Sequence, residues 1–209
     1  MQVGTTKVHR LIRWAPALHS ALAPRDSDLI AETAFGLFAN AFQEQCTIDS
    51  LPDKIRAAIV RAATRRIMLL RGSGRDLTGV ISTAHLLESE ALAIRLLEWT
   101  RAQQHPPEIQ PRLQGLGLVD ACHPDIIAGP ELIEVKMGSS PFRLDDIRQV
   151  LIYAALIWRG TDRALETVTL TNPRLGIEWK CPLRELVQEI SGQSMSEFFE
   201  AFERMGQGS

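Results

Sequence analysis

The chain lacks most features that mark secreted, disulfide-bonded or membrane proteins. It has three cysteines in 209 residues, and no two of them show zinc-finger or redox spacing. We therefore expect reduced thiols and a cytoplasmic protein. No apolar run reaches the roughly 18 residues that a membrane span needs, and the first residues lack the apolar core of a secretory signal.

A large excess of charge of either sign is also missing. The net charge of −2 gives no bulk attraction to nucleic acid, so such binding would have to come from a local patch. One concentrated group of cations lies in a predicted helix after Pro52 and just beyond it. This group forms either a solvated helix face or a phosphate-contacting surface. Its members are Lys54, Arg56, Arg61, Arg65, Arg66, Arg71 and Arg75.

Enough apolar residues are present, 45% of the total, to bury one core, and we expect a single domain over residues 1–209. Helical spacing predicts helices over about 28–45, 52–70, 76–101, 144–158, 182–190 and 194–204. Short apolar segments between turn residues predict strands over about 113–119, 125–128, 131–137, 167–171 and 176–180. The expected class is α/β, bordering on α+β, with a mixed sheet flanked by helices and a helical insertion over about 52–104.

The most informative stretch runs from Pro124 to Lys136 and predicts two short strands joined by a turn at Gly129-Pro130. When pairing is counted outward from that turn, Asp125 lies opposite Glu134, and partners across a hairpin point to the same face. Lys136 follows Glu134 by two residues and shares its face. The hairpin therefore predicts a patch with two carboxylates and one ammonium.

Such a patch has the equipment for hydrolysing a phosphodiester. Mg²⁺ takes oxygen ligands and is usually held by only one or two carboxylates, which suits Asp125 and Glu134. The backbone carbonyl of Val135 is a plausible third oxygen. Lys136 would hold or deprotonate the attacking water, or neutralise charge that develops on a phosphate.

Pro124-Asp125 followed by Glu134-Val135-Lys136 resembles the motif of the PD-(D/E)xK nuclease superfamily. The resemblance implies a restriction-endonuclease-like sheet with a catalytic core over about 113–180. It also implies a Mg²⁺- or Mn²⁺-dependent enzyme that cleaves nucleic acid, with DNA favoured over RNA. Asp125 and Glu134 would then be metal ligands, and Lys136 would be the catalytic lysine.

The next predicted helix contains Gln149-x-x-x-Tyr153, which is similar to the motif of RecB-like exonucleases and the related CRISPR adaptation nucleases. The two side chains lie one helical turn apart on one face. The helix is apolar nearly all round, so these polar groups need partners at the site. RecB-like enzymes with an iron–sulfur cluster use four cysteines, so no cluster is expected here.

Two assignments stay open at this point. Many relatives place a further acid on the first core helix, for which Glu32 is the candidate and Glu88, Glu90 and Glu98 are competitors. Asp120 fits a Gly-x-x-Asp pattern and competes with Asp125, which is preferred because the short turn places it opposite Glu134. A slip of one residue would reverse that face.

The expected function is a metal-dependent nuclease without a membrane partner, acting in a prokaryotic defence system or a mobile element. It would act alone, as a homo-oligomer or with a partner protein. One alternative is a catalytically inactive protein of the same fold that binds nucleic acid or serves as an assembly subunit. Another is a helical interaction module around residues 27–104, which would show no metal dependence.

Overall fold

Six α-helices lie on the two sides of one sheet in the computed structural model, which describes residues 10–20, 22, 26–71, 81–117, 119–161 and 163–207. One side carries the first three helices and a 3₁₀ turn at Ile48–Ser50. The other side carries the last three. The helices are α1 (Ser27–Gln43), α2 (Asp53–Arg71), α3 (Thr83–Arg101), α4 (Leu144–Gly160), α5 (Leu183–Ser191) and α6 (Met195–Gln207). None of these helices is long and apolar enough to cross a bilayer.

Within the described residues the sheet is open, mixed and six-stranded, with the order β1-β6-β5-β4-β3-β2. Its strands are β1 (Arg10–Arg13), β2 (Pro107–Ile109), β3 (Ile126–Ala128), β4 (Glu131–Val135), β5 (Thr167–Asn172) and β6 (Ile177–Pro182). Strands β4 and β5 run parallel, whereas the other neighbouring pairs are antiparallel. A parallel pair needs a crossover connection, and α4 supplies it. The predicted mixed α/β class is confirmed.

Two hydrophobic cores lie on opposite faces of the sheet. Alternate residues of a strand point to opposite faces, so Ile133 joins the core under α1 and α3, whereas Leu132 joins the core under α4, α5 and α6. Glu134 follows Leu132 by two residues and therefore faces α4. Helix α3 lies within the predicted 52–104 insertion, yet its Leu92 and Leu96 are fully buried in the first core.

Several sequence-based assignments of secondary structure are wrong. The expected strand at 113–119 is not a strand, because only isolated bridges join Leu113 to Cys122 and Leu116 to Val119. The sheet edge is formed instead by β2, whose opening Pro107 obscured the pattern. Proline is tolerated at the start of an edge strand, where its missing N–H is not needed. The edge strand β1 was also not predicted.

The start of α3, which was expected at residue 76, is also wrong. Helix α3 begins at Thr83 because the Ser82 hydroxyl caps it by accepting from the His85 N–H at 3.3 Å. The expected helical residues 76–80 lie outside the described residues.

The turn between β3 and β4 sets the register on which the site depends. Ile126 pairs with Ile133, Ile127 with Leu132 and Ala128 with Glu131, as predicted. Gly129 closes this turn with φ of +56°, which is costly for a residue with a Cβ. A Cβ added at Gly129 would also lie 2.7 Å from Cγ of His105.

We predict that Gly129→Ala lowers the free energy of unfolding by about 1–2 kcal/mol. This is the strain of a residue with a Cβ in the left-handed backbone conformation. Urea denaturation followed by circular dichroism would measure the loss. Gly160→Ala is the matched control, since Gly160 ends α4 with open space at its Cβ position. A Gly129→Ala variant as stable as the control would contradict the proposed constraint.

Candidate functional site

A cavity of about 650 Å³ opens where β4 ends, between the layer of α1 and α2 and the helix α4. Five of the six predicted site residues line it, namely Asp125, Glu134, Val135, Gln149 and Tyr153. The sixth, Lys136, follows β4 directly and reaches the same group of side chains by hydrogen bonds. The end of a parallel strand next to a crossover helix is a common position for ligand sites in α/β sheets.

Glu134 is the most buried charged group of the site, with 4% of its surface exposed. Its Oε1 atom accepts a hydrogen bond from Lys136 Nζ at 3.0 Å. Its Oε2 atom is buried, and none of the described residues donates a hydrogen bond to it. Buried carboxylate oxygens normally find a donor, so this atom is suited to an additional cation or donor.

Asp125 precedes β3 by one residue and is held by the backbone of the opposite strand. Its Oδ2 atom accepts from the N–H of Val135 at 2.8 Å, which fixes the carboxylate beside the end of β4. Burial raises its pKa well above the usual value, and the nearby Glu134 charge raises it further. Burial also raises the pKa of Glu134, against the opposing charge of Lys136.

A hydrogen-bonded chain connects the lysine to α4. Lys136 Nζ donates to Gln149 Oε1 at 2.7 Å, and Gln149 Nε2 donates to Tyr153 Oη at 2.9 Å. An ammonium has no acceptor, so the amide of Gln149 must present its oxygen to Lys136 and its NH₂ to Tyr153. The tyrosine hydroxyl accepts in this chain, which leaves its own hydrogen to donate.

Asp146, a neighbour of the lysine, was not among the predicted site residues. Asp146 Oδ1 lies 3.4 Å from Lys136 Nζ, and its Oδ2 accepts from the N–H of Arg143 at 2.7 Å. Burial alone would lower the pKa of Lys136. The negative charges of Glu134 and, to a smaller extent, Asp146 outweigh burial, so the pKa is raised. The signal for Asp146 was its position three residues before Gln149, on the same helix face.

Of the four candidates for a further acid, Glu32 alone lines this cavity. Its carboxylate lies 3.4 Å from Nη1 of Arg66, which reaches the cavity from α2. The competitors are placed elsewhere: Glu88 pairs with Arg174, Glu90 pairs with Arg56, and Glu98 is exposed on α3. Asp120 is exposed and does not line the cavity, whereas Asp125 does.

The cationic group of α2 divides into two parts. Arg56 is engaged with Glu90 and with the backbone carbonyls of Ile48 and Leu51, so its role is structural. Arg66 belongs to the cavity. The exposed members with described side chains are Lys54, Arg61, Arg65 and Arg66 itself. Arg75 and the side chain of Arg71 lie outside the described residues.

The donor set fits Mg²⁺ or Mn²⁺ better than a metal held by a full protein cage. Among the residues that the structure describes, no three His, Cys, Asp or Glu side chains are grouped to hold a metal ion. Mg²⁺ needs only one or two carboxylates because it keeps several waters. Asp125 and Glu134 supply that number, and the partnerless Oε2 of Glu134 is a free acceptor for it.

No family model, curated protein or solved structure matches the chain. Function is therefore inferred from the chemistry of the site itself.

We predict that Asp125→Asn stabilises the metal-free protein at neutral pH. The pKa of Asp125 is higher in the folded protein than in the unfolded chain. The wild-type protein therefore loses stability as the pH rises from the unfolded pKa to the folded pKa, and the loss persists at higher pH. Asparagine cannot ionise, and its amide oxygen can still accept from Val135. Thermal denaturation in EDTA should show a gain at pH 7 that disappears near about pH 3.5, where the aspartate is also neutral in the unfolded chain.

The control for this experiment is Asp120→Asn, because Asp120 is an exposed carboxylate away from the cavity. It should change the denaturation temperature little at either pH. If Asp125→Asn were less stable than the wild type at pH 7, and by the same amount as at the acidic pH, the electrostatic explanation would be contradicted.

Proposed function

We propose that the chain is a Mg²⁺- or Mn²⁺-dependent nuclease that hydrolyses phosphodiester bonds, with DNA favoured over RNA, on a restriction-endonuclease-like core. The observation that carries the proposal is the half-buried Asp125 beside the buried Glu134, whose Oε2 atom has no hydrogen-bond partner among the described residues. The same group of side chains contains a lysine held by Glu134 and Gln149. Carboxylates with an adjacent ammonium meet the needs of phosphodiester hydrolysis.

Each side chain has a proposed role that follows from its contacts. Asp125, Glu134 and the Val135 carbonyl would hold the cation, which when bound supplies Lewis acidity towards the phosphate and acidifies water. Lys136 is an ammonium with a raised pKa, so it holds the attacking water or neutralises charge on the phosphate, and it does not deprotonate the water. Gln149 fixes the position of the Lys136 ammonium, and Tyr153 can donate its hydroxyl hydrogen to a phosphate oxygen.

The arrangement of the strands also supports the restriction-endonuclease-like assignment. The acid precedes one strand of a hairpin, the Glu-x-Lys sequence ends the other, and a crossover helix with Gln149 and Tyr153 follows. The preference for DNA rests on the PD-(D/E)xK resemblance alone.

The second candidate is a catalytically inactive protein of this fold that binds nucleic acid or serves as an assembly subunit. The observation that favours it is that Lys136 already pairs with two carboxylates. Its Nζ lies 3.0 Å from Oε1 of Glu134 and 3.4 Å from Oδ1 of Asp146. A lysine held in this way could have a structural role only.

We predict that purified protein cleaves single- or double-stranded DNA when Mg²⁺ or Mn²⁺ is added, with RNA as a parallel substrate. Lys136→Ala should lower the cleavage rate about 10²- to 10³-fold, which is typical for the loss of one group that stabilises transition-state charge. Lys180→Ala is the matched control, because this lysine pairs with Glu131 rather than with the site. Full activity of the Lys136 variant would refute its role, and binding without cleavage by wild type would favour the inactive alternative.

We also predict that Mn²⁺ or Mg²⁺ raises the denaturation temperature of the wild-type protein. A ligand that binds only the folded state adds about 2.7 kcal/mol at one hundred times its dissociation constant. The increase should vanish in Asp125→Asn and in Glu134→Gln, and persist in Asp120→Asn. An equal increase in all four proteins would place the metal elsewhere.

A further inference from the structure

A second cavity of about 730 Å³ adjoins the first. Met137 lines both cavities, and Lys136 lines the second. Its walls come from the loop that joins β4 to α4, from the turn between β5 and β6, and from the segment around residues 17–20. Apart from Lys136, no residue that lines only this cavity has a role in the function proposed above.

Arg174 lies in the wall of the second cavity and is almost completely buried, with 2% of its surface exposed. Its Nε donates to the carbonyl of Met137 at 2.7 Å, and its Nη1 pairs with Glu88. Its Nη2 is buried and has no hydrogen-bond partner within the part of the chain that the structure describes. An unsatisfied buried guanidinium nitrogen is costly, so an acceptor is missing at this wall.

Other donors around the cavity are also unused. The Arg143 guanidinium, Ser139 Oγ and Ser140 Oγ have no hydrogen-bond or ion-pair partner among the described residues. All three residues are exposed in the loop that precedes α4.

The acids of this cavity, by contrast, are already engaged. Glu88 accepts from Ser20 Oγ at 2.7 Å and from Arg174, while Asp146 accepts from the Arg143 N–H and contacts Lys136. The cavity therefore has spare donors and positive charge but occupied carboxylates. A compact anion with several acceptor oxygens suits this combination, whereas a cation or an apolar ligand does not.

We infer that the second cavity binds a phosphate group, belonging to the nucleic-acid strand whose neighbouring phosphodiester lies in the first cavity. The identity of the strand rests on the proposed nuclease function, but the affinity for phosphate does not. Arg174 and Arg143 supply the positive charge, and Ser139 and Ser140 supply neutral donors. The phosphate is either a terminal monoester or an internal diester, which have this chemistry in common.

Two glycines offer a matched test of the cavity. A Cβ at Gly138 meets nothing within 4 Å, and the backbone there is not left-handed, so Gly138→Phe should fold and fill the cavity. Gly160 has the same open space at the end of α4 and lines neither cavity, so Gly160→Phe is the control. Arg143→Gln is a second variant that removes a charge without adding bulk.

The first measurement is the denaturation temperature in EDTA with inorganic phosphate, compared with chloride at equal ionic strength. Phosphate should stabilise the wild type and Gly160→Phe, but not Gly138→Phe. Arg143→Gln should bind phosphate roughly tenfold more weakly, as expected for one charged hydrogen bond. No phosphate-specific shift in the wild type, or an undiminished shift in both the Gly138 and Arg143 variants, would overturn the inference.

The second measurement identifies the source of the phosphate. Fluorescence anisotropy in the Asp125→Asn background would compare oligonucleotides that end in 5′-phosphate, 3′-phosphate or hydroxyl. A terminal site predicts that Gly138→Phe weakens binding of only one phosphorylated end, and an internal site predicts equal weakening for all three. Equal affinities in the Gly138→Phe and Gly160→Phe proteins would overturn the assignment to the strand.

The two proposals fail in different ways. Absence of cleavage by the wild type refutes the nuclease activity and leaves the phosphate-specific shift in EDTA as the test of the cavity. Cleavage by the wild type without that shift refutes the second cavity as a phosphate site and leaves the nuclease intact.

Discussion

The pair of carboxylates formed by the half-buried Asp125 and the buried Glu134 is the constraint on which the site depends. Burial raises the pKa of both groups, so holding them ionised at neutral pH opposes folding. Lys136 donates a hydrogen bond to one oxygen of Glu134, and the backbone N–H of Val135 donates one to an oxygen of Asp125. The remaining Oε2 of Glu134 has no partner among the described residues. A divalent cation bound there would offset the free-energy cost of keeping both carboxylates ionised.

The fold holds this pair in place from several directions. The turn at Gly129 sets the register of β3 and β4, and parallel pairing with β5 fixes the end of β4. Helix α4 connects these parallel strands and brings Gln149 to the lysine. The loop that leads into α4 also forms the second cavity, so one connection serves both the proposed metal pocket and the proposed phosphate pocket.

Local sequence predicted the hairpin and its polar face because a short turn leaves few registers, and because Glu134 and Lys136 are two residues apart on one strand. The edge strands escaped prediction because Pro107 and the arginines of β1 break the alternation of a typical strand. The contacts of Arg174 with Met137 and Glu88 also escaped, since they join residues far apart in the chain and depend on how the layers pack.

The most direct test of the account is a crystal structure of the protein soaked in Mn²⁺, with anomalous scattering collected at the manganese absorption edge. The account predicts one strong peak at coordination distance, about 2.0–2.5 Å, from a carboxylate oxygen of Asp125 and from Oε2 of Glu134. A crystal grown with Mn²⁺ at a concentration that supports cleavage, but without a peak between these two side chains, would contradict it.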